Sequence, residues 1–403
     1  MKIKYIKSVL LILAAGMAGT IFSCTKMDEY KKYEADGEIQ YPGIFDSLKV
    51  IPGRNRALVT GVLLSDPKVV KYRIFWNGGL DSLEAPLKRS GSVDTLSQIV
   101  NNLPEGPITF EIHTYDANGN KSIPMTVSGT IYGDNFQSSI NLRGNREVLG
   151  SGLSVDGAVR LIWADVEPYV GVVGMKISYS DVMDMERDTI VPVQLSDQVT
   201  LLPDASIQKP ITYHTLFIPD AYGIDTLTIG ASQAPEVSEV SLLNNVHPVK
   251  VAESDGSRWA NLLDWTANDQ LKNHNGYGGT DISGGSDYKI FFEAGYGAPA
   301  IVDGKLYQKV TLPPGKYTFD GSIDWWNNGG QNQVYLVAAK GEGLPDTNEL
   351  ATAIGYKMVD NGSDVQFSFE LSQKTTLSLG CLVNLGDNGN SMRFNSLRLY
   401  INR

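Results

Sequence analysis

The segment Asp324-Trp325-Trp326-Asn327-Asn328-Gly329-Gly330-Gln331-Asn332 gathers aromatic rings and planar amides in one short run. A sugar offers an apolar C–H face and a rim of hydroxyls. A protein that binds one therefore sets an aromatic platform beside planar hydrogen-bonding groups. Adjacent residues of a strand point to opposite faces. One of Trp325 and Trp326 is thus expected in the core and the other outside, with Asn327 and Asn328 beside it. Arg393, in Met392-Arg393-Phe394-Asn395, is expected to bring a guanidinium to the same end. Asp387-Asn388-Gly389-Asn390 is oxygen-rich and bent by glycine, which makes Asp387, Asn388 and Asn390 candidate ligands of a structural calcium. It lacks the spacing of an EF-hand loop, and an ordinary turn is the simpler reading. No other cofactor is expected.

Catalytic signatures are missing. The chain has no His-Glu-x-x-His, no Gly-x-Ser-x-Gly elbow, no P-loop and no dinucleotide fingerprint. A pair of glycosidase carboxylates leaves no spacing signature. The four histidines, His113, His214, His247 and His274, are scattered. The expectation is a binding protein, not an enzyme. With 34 Lys and Arg against 45 Asp and Glu, the net charge of −11 argues against nucleic acid as a partner. Two cysteines, Cys24 and Cys381, exclude a disulfide scaffold or a cysteine-rich zinc site.

Lys2, Lys4 and Lys7 precede an apolar run that Gly16 and Gly19 interrupt, and the run ends at Ile21-Phe22-Ser23-Cys24. It is too short and broken for a comfortable membrane span. It resembles a bacterial lipoprotein signal, from which the large Phe22 departs. The resemblance implies that Cys24 is lipidated and that acyl chains anchor the protein in a membrane; the alternative is an ordinary signal peptide with an incidental cysteine. The acidic residues of Met27-Asp28-Glu29-Tyr30 resemble the surface-export signal of Bacteroidota lipoproteins, which implies the outer membrane and display toward the cell exterior. Five triplets read Asp, then Ser or Thr, then an aliphatic residue. They resemble an O-glycosylation acceptor of exported Bacteroidota proteins and make Ser47, Ser82, Thr95, Thr189 and Thr226 candidates. Turn aspartates at strand starts give the same triplets.

The elements that must carry these residues are strands. Period-2 alternation marks Arg56–Val62, Val70–Trp76 and Ile108–Tyr115, and Asn-, Gly- and Pro-rich turns separate them. The pattern recurs after about 103 residues. Leu58 is echoed by Leu161, Arg73 by Lys176, and Thr109-Phe110 by Thr212-Tyr213. A repeat of about 100 residues with roughly seven strands has the size of an immunoglobulin or fibronectin type III sandwich. Gly37-Glu38-Ile39-Gln40-Tyr41-Pro42-Gly43 and Tyr132-Gly133-Asp134-Asn135-Phe136 resemble an uncharacterised family of Bacteroidota lipoproteins with such modules at the N-terminus. Beyond residue 245, Arg258-Trp259, Asp264-Trp265, the Leu312–Phe319 hairpin and the closing Leu397-Arg398-Leu399-Tyr400 resemble a galactose-binding-like jelly roll, a module that implies glycan binding at loops. Trp259 and Trp265 read as core and corner residues.

The fold class expected is all-β: two fibronectin type III-like sandwiches followed by a jelly-roll sandwich. The boundaries are a signal over 1–23, a tether over 24–39, sandwiches over 40–131 and 146–230, linkers over 132–145 and 231–244, and the terminal domain over 245–403. The function expected is surface glycan binding through the terminal domain, accessory to a polysaccharide-uptake complex. The alternative is a structural or adhesive lipoprotein that contacts a surface protein.

Overall fold

Alternating burial builds the strands. In Arg56–Leu64, Ala57, Val59 and Leu63 are buried and their neighbours are not, the period expected of a half-buried sheet. The computed structural model describes residues 41–402 apart from 65, 89–92, 142–143, 166–170, 194–197, 221, 255, 257, 283–284, 328–331 and 361. Cys24 and Asn328, and with them the signal and the tether, lie outside the described residues. The chain divides into two compact units. One is built on residues up to Phe136 together with Tyr222–Asp225, the other on Gln137–Ala221 and Thr226–Arg403.

The first unit holds β1 (Asp46–Pro52), β2 (Arg56–Leu64), β3 (Val69–Trp76), β4 (Asp81–Pro86), β5 (Val93–Asn101), β6 (Gly106–Asp116) and β7 (Met125–Ile131). They form two antiparallel sheets, β1-β2-β5 and β4-β3-β6-β7. That strand order is the one of a fibronectin type III sandwich. Val59, Ile74, Leu96, Phe110 and Ile112 fill the space between the sheets. Helix α1 (Asp134–Asn141) follows, where the sequence expected a linker. The Glu105 carboxylate accepts the backbone N–H groups of Asn135 and Phe136 at 2.9 and 2.6 Å, which satisfies donors that a helix start leaves open. That stabilisation comes from a residue about thirty positions away, so no local pattern announces it.

The second unit opens with β8 (Val148–Leu153), β9 (Val159–Trp163), β10 (Val172–Ser180), β11 (Glu186–Pro192), β12 (Val199–Leu202), β13 (Thr212–Phe217), β14 (Leu227–Thr228) and β15 (Ser232–Gln233). The strand order repeats, β8-β9-β12 in one sheet and β11-β10-β13-β14 in the other. The pair Ile74↔Ile112 corresponds to Ile177↔Tyr213. The offset is therefore 103 residues on one strand and 101 on the other. The equivalence of Thr109 with Thr212, read from a constant spacing, is corrected by two residues. A slip of two keeps the same face inward, which is why the hydrophobic pattern concealed it.

A two-residue strand, β16 (Glu239–Val240), leads to the terminal sandwich. Its strands are β17 (Val251–Ser254), β18 (Trp259–Leu262), β19 (Thr266–Ala267), β20 (Gly279–Asp281), β21 (Lys289–Ala294), β22 (Ile301–Leu312), β23 (Gly315–Asn327), β24 (Gln333–Lys340), β25 (Gly355–Met358), β26 (Val365–Leu371), β27 (Thr375–Leu385) and β28 (Asn390–Asn402). The front sheet runs β17-β18-β20-β21-β28-β23-β26 and the back sheet β19-β22-β27-β24-β25. This is the jelly-roll sandwich.

The linker expected over 231–244 is corrected. β16 pairs in parallel with β8 through Val240 and Leu153, and antiparallel with β28 through Glu239↔Tyr400 and Val240↔Leu399. The front sheet is thus continuous with β8-β9-β12. Ala234, Val237, Val240 and Leu242 are buried in one core that runs from Leu161 and Trp163 to Phe319, Leu336 and Leu399. Cys381 is a fully buried free thiol in that core, and burial pushes its ionisation far up.

Candidate functional site

The outer face of the front sheet carries the site. β23 presents Trp325 outward, 51% exposed, while Trp326 packs against the core. Trp325 stands opposite Arg393 on β28 and Asn327 opposite Ser391. The Trp325 Nε1–H donates to Ser391 Oγ at 3.0 Å, which fixes the plane of the ring. Asn327 Nδ2 donates to the Gly389 carbonyl at 2.9 Å and to Tyr296 Oη at 3.4 Å. Tyr296, 75% exposed, stands at φ +55° in the turn Gly295-Tyr296-Gly297, a left-handed conformation uncommon outside glycine. A Cβ on Gly295 would lie 2.3 Å from the Gly389 backbone nitrogen, so only glycine lets the two turns meet. The result is two exposed aromatic rings with an amide between them. Tyr296 was not anticipated from the sequence. Its signal was an aromatic residue between two glycines.

The face continues toward β21 and β18 as a neutral mosaic. Asp324 Oδ2 receives Lys289 Nζ at 2.6 Å and Arg393 Nη1 at 3.5 Å. The Lys289 hydrogen bond and these two charges hold the Asp324 carboxyl below the usual carboxylate range. The Arg393 guanidinium lies 5.1 Å from the Phe291 ring centroid. Phe291 stacks on Trp259 at 5.7 Å, and Trp259 stacks on His274 at 3.5 Å. Arg258 lies 4.4 Å from the Trp259 ring centroid and pairs with Asp281 at 2.7 Å and Glu293 at 3.0 Å. Burial raises the Glu293 carboxyl. Arg258, Lys289 and Arg393 thus face Asp281, Glu293 and Asp324, and the charges balance. Such a surface suits a polar, uncharged ligand better than an ion.

Three buried polar atoms on this side lack a hydrogen-bond partner among the described residues: Arg258 Nε, Asn261 Oδ1 and His274 Nε2. Burial, with Arg258 nearby, pushes the His274 imidazole down from 6.5 to about 4, against the opposing Glu293 backbone. A group whose value is lower when folded binds protons more readily when unfolded. Its stabilising contribution is therefore complete above 6.5 and is lost as the pH falls toward about 4. In urea unfolding between about pH 7 and about pH 4.5, the protein should lose more stability than its His274→Asn variant. Equal losses would rule the effect out.

The remaining candidates fall elsewhere. Asn390 is buried and donates from Nδ2 to the Gly386 carbonyl at 2.9 Å and to Asn388 Oδ1. The turn that holds Asp387, Asn388 and Asn390 is closed by its own amides. Among the described residues no three His, Cys, Asp or Glu side chains gather as for a metal. Ser47, Thr95 and Thr226 are exposed, while Ser82 and Thr189 are half-buried. The Ser82 hydroxyl accepts from Arg73 Nε and Nη2 at 3.1 and 2.8 Å. His113 and His214 occupy equivalent rungs, opposite Arg73 and Lys176. Trp259 and Trp265 are both buried.

Comparison with known proteins gives two family matches. Residues 24–227 match DUF4998, a domain of unknown function. Residues 243–380 match DUF5013, also a domain of unknown function. No curated protein matches. Among solved structures, a two-domain fibronectin type III segment of chicken tenascin is 15% identical, with 47% of this chain and 99% of that one covered and a TM-score of 0.18. The K3 cleaved adhesin domain of the Lys-gingipain of Porphyromonas gingivalis is 13% identical, with 34% and 91% covered and a TM-score of 0.25. Both scores are low, and the sandwich assignment rests on strand order.

Proposed function

We propose that this chain, which belongs to the DUF4998 family of domains of unknown function, is a surface-exposed outer-membrane lipoprotein that binds glycan through its terminal, galactose-binding-like sandwich. It would serve polysaccharide capture or uptake without catalysis of its own. The observation that carries the reading is the Trp325–Asn327–Tyr296 platform. Two exposed rings, fixed by hydrogen bonds to Ser391 and Gly389, flank an amide. Rigid aromatic faces suit the C–H surface of a pyranose, and the neighbouring Arg393–Asp324 pair offers a donor and an acceptor to its hydroxyls. The carboxylates Asp281 and Glu293 both face Arg258, an arrangement that fixes the guanidinium. For the anchor, the support is the basic and apolar start that ends at Cys24.

Affinity electrophoresis of the whole chain tests this, with soluble galactan, mannan, xylan and β-glucan in the gels. At least one polymer should retard the protein. Trp325→Ala should weaken that retardation at least tenfold, about 1.4 kcal/mol, with an unchanged melting temperature because the ring is half exposed. Unretarded migration in every gel would favour the protein-contact reading, and full retention of affinity by Trp325→Ala would remove the platform from the site.

A further inference from the structure

The first sandwich has a feature that its repeat does not need. On the outer face of β4-β3-β6-β7 lies a groove of about 540 Å³, lined by Phe75, Trp76, Glu111, His113, Tyr115 and Lys121 among others. The volume falls within the roughly 300–1,000 Å³ of small-ligand sites. Outer faces of antiparallel sandwiches are ordinarily polar, yet here Phe75 and Tyr115 line the face. The repeat shows that the fold does not demand Phe75, whereas the place of Tyr115 is taken there by Leu216. The rung Phe75↔Glu111 of the first sandwich is Ser178↔Thr212 in the second. The same scaffold is built there with two small hydroxyl residues.

The groove is also held in place. His113 is buried; its Nδ1 lies 2.9 Å from the Ser122 carbonyl and its Nε2 lies 2.9 Å from Glu111 Oε1. Phe75 meets the His113 ring edge-on at 6.0 Å, and the Arg73 guanidinium lies 4.9 Å from its centroid. Lys71 Nζ lies 5.6 Å from the Tyr115 centroid. Beyond Trp76 the turn Gly78-Gly79 has positive φ at both glycines and open space where their side chains would be. The mouth of the groove is thus kept low. Glu111 and Lys121 bring one charge of each sign.

We propose that this groove is a second glycan site, for one or two units of a neutral saccharide. The aromatic side chains take the C–H faces. The Glu111 carboxylate accepts from hydroxyls, and the Lys121 ammonium donates to them. The lining itself carries one charge of each sign, Glu111 and Lys121, a pairing that does not call for an anionic sugar. Two sites on one chain would let a polymer bind with avidity beyond either site alone.

The test uses the whole chain carrying Trp325→Ala and Tyr296→Ala, so that the terminal platform is removed. In gels of galactan, mannan, xylan and β-glucan, this chain should still be retarded by at least one polymer. Grafting the rung of the second sandwich, Phe75→Ser with Glu111→Thr, should abolish that residual retardation while the melting temperature stays within a few degrees. Tyr115→Ala, which leaves the rung intact, should weaken it at least fivefold. The proposal is overturned if the platform-less chain is retarded by none of the polymers, or if the retardation survives both the graft and Tyr115→Ala. In the first case, retardation of the unaltered chain would leave the terminal site standing.

Discussion

A fragment that begins at residue 245 is expected to lose cooperative folding, although the shift in composition there invites a cut. Val237, Val240 and Leu242 lie upstream of the cut, and all three are buried in the core shared with Leu397 and Leu399. Each fully buried aliphatic side chain contributes about 1.5–3 kcal/mol. Three of them rival the roughly 5–15 kcal/mol by which a whole domain is stable. The cut also leaves β28 without its β16 partner, with the Val240↔Leu399 rung open. Calorimetry should show one cooperative transition for residues 146–403. The fragment 245–403 should bind a hydrophobic dye and melt broadly or precipitate. A sharp transition of that fragment within a few degrees of the longer chain would refute the shared core.

The second large effect is expected at Tyr317. Its side chain is fully buried, stacks on Phe369 at 5.6 Å and donates its hydroxyl to the Pro313 carbonyl at 2.8 Å. Burial raises the phenol well above its ordinary range, so it stays a donor at any working pH. Tyr317→Ala removes the ring from beside Phe369 and should cost about 3–5 kcal/mol. Tyr317→Phe keeps the ring but leaves the Pro313 carbonyl without its donor, a loss of about 1–3 kcal/mol. Denaturant melts of both variants check the order. If Tyr317→Phe proves as costly as Tyr317→Ala, the hydroxyl and not the packing dominates.

What the sequence revealed follows from the range of its signals. Alternation is local. It located the strands around Val59, Ile74, Phe110 and Phe319, and it placed one of the paired tryptophans outside. Pairing is not local. β16 has two residues, too few for any period, and it is a strand only because Leu153 and Leu399 lie on either side of it. Helix α1 depends in the same way on Glu105. At the terminal face, Trp325, Asn327 and Arg393 were legible because their chemistry is conspicuous. Tyr296 joins them through a backbone bend that two glycines permit. Phe291, Trp259 and His274 form a stack across three separate segments, which no linear spacing records.

β28 gives the second unit a particular order of assembly. It follows β8, β16, β21 and β23 in the chain, yet it is the strand onto which β16, β21 and β23 all dock. During synthesis the earlier strands emerge while the place they must pair with does not yet exist. Contacts between residues so far apart form slowly. The front sheet of the terminal sandwich therefore stays incomplete until β28 is made, while the β10-β11-β13 and β22-β27-β24 pairings do not wait for it. On the reading proposed above, of a chain exported as a lipoprotein, that delay would keep β16, β21 and β23 without their β28 partner while a translocation channel passes them.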